Sequence, residues 1–298
     1  MRRKSSNLLQ TKWWQHALLL GPSVLAFSVA VIAPFVCSLY YSLTDWNGVS
    51  GKATFVGLDN FIRIFSGRTD FLDSFWFTLR MAVVSCLIIN ALGILLAEVL
   101  TKRLWGRNFF RATFFMPNLI GGLILGFIWQ FIFVNGFPAI GKALHIGFFD
   151  QQWLGTESTA FLGILIVLVW QNAGYIMVIM VSAFADVDGS LLEAARVDGA
   201  NSLQTFFLIK LPQCMPYVAV CLFWTLANAF KMFELNMSLT NGGPYGSTTS
   251  MALNIYKDAF ANNKYGLATA ESLVFFVLVL VIAGGQRYLM ARKERQYK

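Results

Sequence analysis

Apolar residues in this chain neither alternate nor recur on one helical face; they run in long blocks separated by short polar segments. A helix needs roughly 20 apolar residues to cross the hydrocarbon core of a bilayer. Six stretches meet or approach that length. The first runs from Ala17 to Thr44 without a charge, between Trp13 and Trp14 at one end and Tyr40, Tyr41 and Trp46 at the other, where interfacial aromatics belong. The second covers Trp76 to Val99, with Arg80 and Glu98 near its ends, within reach of the headgroups. The third is charge-free from Ala112 to Gly141, and Pro117 with Gly121 and Gly122 predicts a bend in its first half. Ser158 to Ala185, Pro212 to Phe230 and Tyr265 to Gln286 complete the set. The pattern predicts an all-α integral membrane protein with six transmembrane helices.

Composition agrees. Of 298 residues, 57% are hydrophobic and 13% charged, against about half and a quarter in soluble domains. The 28 Phe and 9 Trp are more apolar surface than a water-soluble domain of this size can hide. A net charge of +8 raises nucleic acid as a partner, but the basic residues sit in short loops between apolar blocks, so no nucleic acid is expected. Arg2, Arg3, Lys4, Lys12, Lys102, Arg103, Arg107, Arg111, Arg196, Lys210, Arg287, Arg292, Lys293, Arg295 and Lys298 fall on one side of the six blocks, and the other eight of the 23 basic residues on the other. The positive-inside rule then puts both termini and the segment 186–212 in the cytoplasm. The basic start before an apolar block imitates a signal peptide, but that block continues past any plausible cleavage point and reads as an uncleaved first span. The expected organisation is a cytoplasmic segment 1–16, a six-helix domain 17–290 and a cytoplasmic tail 291–298.

Several chemistries have no residues to carry them. Cys37, Cys86, Cys214 and Cys221 show neither CxxC spacing nor neighbouring histidines, and read as small buried hydrophobes. His16 and His145 stand alone, so no metal site or triad is expected, and no GxxxxGK[ST] phosphate loop occurs. No internal repeat is found, which weakens a secondary-transporter reading.

The segment 186–212 carries the most information. Ser190 can cap a short helix, and Ala194, Ala195 and Ala200 offer little bulk to a partner surface. Asp198-Gly199 is a turn signal, and a second short amphipathic segment ends at Pro212. Ser190 and Glu193 are also spaced as a capping box, in which Glu193 only ties back to its own helix.

Glu193-Ala194-Ala195, then Gly199, then Ile209 and Leu211-Pro212 resembles the EAA loop of permease subunits from bacterial ATP-binding-cassette (ABC) importers. Val187-Asp188 departs from the Ile-Pro frequent there, leaving the entry to the first short helix open. The stretches Phe55-Val56-Gly57-Leu58-Asp59-Asn60-Phe61, Phe109-Phe110-Arg111 with Pro117, and Thr240-Asn241-Gly242-Gly243-Pro244 with Thr248 and Thr249 resemble carbohydrate permeases of the maltose and glycerol-3-phosphate type, in particular the first of their two unlike permeases. The resemblance implies a type I ABC importer permease fold, in a multi-pass chain of the bacterial inner membrane. Its implied partners are a second, homologous permease, two ATPase subunits, and an extracellular or periplasmic solute-binding protein delivering a sugar or polyol phosphate. ATP and Mg would be bound by the ATPase subunits and no cofactor by this chain, which is not itself an enzyme. Glu193, Ala194, Ala195, Asp198, Gly199, Ala200, Ile209, Leu211 and Pro212 would form the loop that docks on an ATPase subunit.

Polar residues inside the spans are costly unless they face a bundle interior or a water-filled path. Asn172 and Tyr175 share one face of the fourth span, and Trp224 and Asn228 one face of the fifth; with Glu271 in the sixth they are candidates to line a sugar path. Hydrogen bonding between helices is the alternative for each. An ion-coupled carrier would need buried carboxylates on several spans, and an intramembrane enzyme paired catalytic residues; neither gives the segment from Glu193 to Pro212 a role.

Overall fold

The computed structural model describes residues 13–102 and 104–294. Arg2, Arg3, Lys4, Lys12, Arg103, Arg295 and Lys298, which contributed to the orientation argument, lie outside the described residues, as do the side chains of Trp13, Trp14 and His16. Among the described residues, five helices are long and apolar enough to cross a membrane: α1 (Leu18–Tyr41), α3 (Phe71–Thr101), α5 (Gly122–Leu144), α6 (Glu157–Ala185) and α12, whose apolar part is Tyr265–Tyr288 within Tyr265–Glu294. The predicted fifth span has a different form. Its helix α9 (Met215–Phe230) has 16 residues and spans only ~24 Å. It meets the preceding helix α8 (Ser202–Gln213) at a 74° bend. Between these lie short helices: α2 (Asp59–Phe65), α4 (Arg107–Phe115), α7 (Gly189–Val197), α10 (Glu234–Leu239) and α11 (Met251–Tyr256).

The chain forms two compact units, residues 1–62 with 258–273, and residues 63–257 with 274–298. In the first, α1 buries none of its apolar window. The segment after it folds back through an isolated bridge between Thr44 and Phe55, and the Asn60 amide donates to the carbonyls of Ser42 (2.9 Å) and Thr44 (2.8 Å). Trp46, stacked on Tyr41 at 4.4 Å, accepts at its carbonyl the Gly266 amide of α12 at 2.8 Å. The motif stretch around Asn60 is therefore a clasp in which one buried amide serves two turn carbonyls.

The second unit is built on α3 packed along α6. Lipid tails are as apolar as leucine, so helix association in a bilayer rests on close packing and on polar bonds between helices. Glycines supply the first. A Cβ at Gly93 of α3 would come within 2.7 Å of Ile176 of α6, and one at Gly126 of α5 would overlap the Ser238 hydroxyl of α10. Polar bonds supply the second: the buried Asn90 amide of α3 donates to the Thr225 hydroxyl of α9 at 2.8 Å and to the Cys86 carbonyl at 2.8 Å. Cys86, Cys214 and Cys221 are buried as expected; Cys37 is exposed.

The bend read from Pro117, Gly121 and Gly122 is present, but it divides the predicted third span. α4 ends at Phe115, a single tight turn follows over Met116–Leu119, Ile120 is extended, and α5 starts at Gly122. His145 closes the end of α5 in the left-handed region, consistent with a loop histidine. Gly174 of α6 lies against the break, so a methyl there would collide with the Phe114 carbonyl oxygen. Backbone cannot yield as a side chain tip does, so Gly174→Ala is expected to cost about 1–3 kcal/mol. Thermal unfolding of the purified chain in detergent should show a lowered midpoint, and an unchanged midpoint would contradict this packing.

Candidate functional site

Where the break before α5 faces α3, α6, α9 and the start of α10, the second unit encloses a cavity of about 480 Å³. Asn172 of α6 and Trp224 and Asn228 of α9, three residues expected on a path, line it together. Asn118, Gln171, Lys231 and Glu234 line it too and were not anticipated. Gln171 adjoins Asn172 in an apolar span, so the cost of burying an amide pointed to it equally. Asn118 lies in the helix break and Glu234 in a short helix after the span, positions that sequence periodicity does not resolve.

Each amide is oriented by a backbone group. The Gln171 side chain donates to the Ile120 carbonyl (3.1 Å), which the break leaves without a helical partner; Asn172 donates to the Leu168 carbonyl (2.8 Å) and accepts from Asn118 at 3.5 Å. Among the described residues the Asn228 amide, the Lys231 ammonium and the Glu234 carboxylate have no hydrogen bond or ion pair. The cavity thus offers several amide donors and acceptors, one indole, one cation and one anion.

Two candidate path residues are placed differently from expectation. Tyr175 is not among the cavity-lining residues; its ring stacks on Trp224 at 4.1 Å between centroids and 24° between planes. A residue one turn beyond Asn172 on α6 reaches the indole and fixes it from behind. Glu271 is fully buried in the first unit and is not among the lining residues either.

At the far end of α6 the segment 186–212 forms two short helices as expected, but they are capped otherwise. Asp188, not Ser190, is the cap of α7: its carboxylate accepts the Ser190 backbone amide at 2.9 Å. That bond holds the Asp188 carboxyl below its usual range. The Ser190–Glu193 capping box does not form, because the cap lies two residues earlier and the helix already begins at Gly189. Glu193 is exposed on the middle of α7 with no partner among the described residues, beside exposed Ala194, while Ala195 is buried beneath. Helix α7 ends in a Schellman motif: Gly199, at φ +80°, donates to the Arg196 carbonyl (3.1 Å) and Ala200 to the Ala195 carbonyl (2.9 Å). A reciprocal box between Asn201 and Gln204, both bonds 2.8 Å, then starts α8. This second segment does not stop at Pro212; it runs on to Gln213, and at Cys214 α8 turns into α9. Ile209, Leu211 and Pro212 are half-buried, and Asp198 is exposed. Val197, Leu203, Phe207 and Leu208 of α7 and α8 are also left exposed.

Comparison with known proteins converges. Residues 89–295 match the family described as binding-protein-dependent transport system inner membrane component. A probable starch degradation products transport system permease protein, AmyD of Thermoanaerobacterium thermosulfurigenes, is 42% identical over 98% of this chain and 98% of its own length. The multiple sugar-binding transport system permease protein MsmF of Streptococcus mutans is 33% identical over 91% and 93%. Among solved structures, a bacterial ABC transporter involved in the import of the acidic polysaccharide alginate superposes with a TM-score of 0.81 at 22% identity, covering 94% of this chain and 96% of its own. A family match over more than half the chain, near-complete alignment with permeases and a shared fold lead to one statement: this chain belongs to the inner-membrane permease components of binding-protein-dependent transport systems.

Proposed function

We propose that this chain is one of two unlike permeases of an ABC importer for saccharides, and that the cavity bounded by Trp224, Asn228 and Asn172 is its half of the substrate path. The observation that carries this is the lining itself. Sugar hydroxyls both donate and accept, and amides answer both, whereas a fixed charge answers only one. Trp224, braced from behind by Tyr175, presents a flat apolar surface of the kind that covers one face of a pyranose ring. One cation, Lys231, and one anion, Glu234, leave the lining balanced, which suits a neutral oligosaccharide better than a polyol phosphate. The printed substrates of AmyD and MsmF, starch degradation products and multiple sugars, support the same class.

In this reading both termini and α7–α8 face the cytoplasm, and a solute-binding protein delivers sugar on the opposite side. Two ATPase subunits bind and hydrolyse ATP with Mg, since no phosphate loop is found in this chain. One of them receives Glu193, Ala194 and Gly199. An exposed glutamate with no partner among the described residues, on a helix with a small-residue face and a glycine at φ +80°, suits close docking against a basic group. Docking would carry the partner's closure through α8 into α9, the helix that presents Trp224 and Asn228.

Loss of one stacking surface or one neutral hydrogen bond costs about 0.5–1.5 kcal/mol. Trp224→Ala or Asn228→Ala should therefore slow sugar uptake into proteoliposomes by roughly 2–10-fold, with the assembled transporter intact. Normal uptake by both would make these residues packing alone. At the loop, Glu193→Gln keeps shape and removes charge. If Glu193 meets a basic group in a largely buried contact, the variant strands that charge at a cost of several kcal/mol. Glu193→Gln and Gly199→Asp should then reduce co-purification of the ATPase subunit or substrate-stimulated hydrolysis; wild-type values for both would remove the docking role.

A further inference from the structure

Lys210 lies in α8, five residues after Thr205, and its ammonium meets the Glu98 carboxylate, in the last turn of α3, at 2.5 Å. Their side chains are 12% and 18% exposed. The same ammonium sits 4.6 Å from the ring centroid of Phe184, a buried residue next to the end of α6, and Phe184 packs edge-on against buried Phe206 of α8. One cation therefore ties the docking helix to the ends of both long helices of the core. Lys102 also approaches Glu98, at 3.7 Å, but is 59% exposed and belongs to the surface class of pairs that contribute little.

The placement matters because the chain links α8 to α9 through the 74° bend at Cys214 and to α6 only through α7 and its flanking turns, and gives it no direct link to α3. A sharp bend is a hinge unless something crosses it. Helix α3 carries Ser85, and α6 carries Gln171 and Asn172, to the same cavity as Trp224 and Asn228 of α9. A pull on α8 can turn it at the bend and at the turns around α7 and leave α3 still. With Glu98 and Phe184 fastened to Lys210, the same pull reaches α3 and α6.

We propose that Glu98 and Lys210 form a strut that transmits movement of the docking helices to the α3–α6 wall of the cavity, so that these two are positioning residues for coupling and not for docking. The proposal rests on the docking-loop reading above, and its test separates the two.

Transporter assembled with its ATPase subunits in proteoliposomes would be assayed for sugar moved per ATP hydrolysed. Glu98→Gln and Lys210→Met should retain the ATPase subunit and ATP hydrolysis but lower that ratio by about tenfold, within the cost of stranding a buried charge. The double variant Glu98→Gln/Lys210→Met leaves no buried charge unpaired, and such neutral replacements are often tolerated by the fold. A purely stabilising pair would be rescued in it; a strut would not, so its ratio should stay low at wild-type thermal stability. Lys210→Arg should restore the ratio and Lys102→Gln should leave it unchanged. A wild-type ratio in the double variant overturns the strut, as does release of the ATPase subunit by it, which would assign the pair to docking. Failure of the docking reading shows elsewhere, as normal behaviour of Glu193→Gln and Gly199→Asp.

Discussion

Backbone amides and carbonyls have no water to turn to in hydrocarbon, so a helix that breaks there must find its lost hydrogen-bond partners in side chains. The places where this permease breaks its helices are the places where the residues proposed for its function gather. Between α4 and α5 the break frees the Ile120 carbonyl, and Gln171 of α6 supplies the donor; Asn118, in the same break, reaches Asn172. Satisfying the backbone draws amides to one spot, and an amide-lined cavity is the by-product. At the second break, between α8 and α9, the Cys214 thiol bonds the Ala183 carbonyl at 3.4 Å, and the Glu98–Lys210 pair lies one turn before it.

The two breaks are joined by rigid elements. Helix α9 starts at the second break and carries Trp224 and Asn228 to the cavity beside the first, while α6 runs from the cavity to the segment 186–212. The Asn90–Thr225 bond and the glycine contact between Gly93 and Ile176 hold α3 against α9 and α6 between them. A movement imposed on α7 and α8 therefore meets a packed lattice, which favours displacement of whole helices over local deformation.

Much of this was legible in the chain because membrane physics penalises exceptions. Asn172, Trp224 and Asn228 stood out as polar groups in apolar blocks, and Gly199 as a helix stop; the structure places the first three around one cavity and gives the last φ +80°. What was not legible depended on registers of one or two residues. The capping box of Ser190 and Glu193 fitted the spacing rule, but Asp188 outcompetes it two residues earlier, and the residue that looked like a departure from the family pattern is the cap. Tyr175 lies on the expected helix face, yet a neighbouring indole captured its ring. The short length of α9 was hidden because the span was read from Pro212, whereas the chain turns two residues later, at Cys214.

The account turns on whether α7 and α8 are a docking surface for another chain, and amide hydrogen exchange reads that directly. In the permease pair alone, the short capped helices around Gly199 and Asn201 should open and exchange readily, as small exposed elements do. With the ATPase subunits bound, exchange across 189–205 should slow while the exposed ends of α5 and α1 stay unchanged. Equal exchange across 189–205 in both preparations would contradict the central claim.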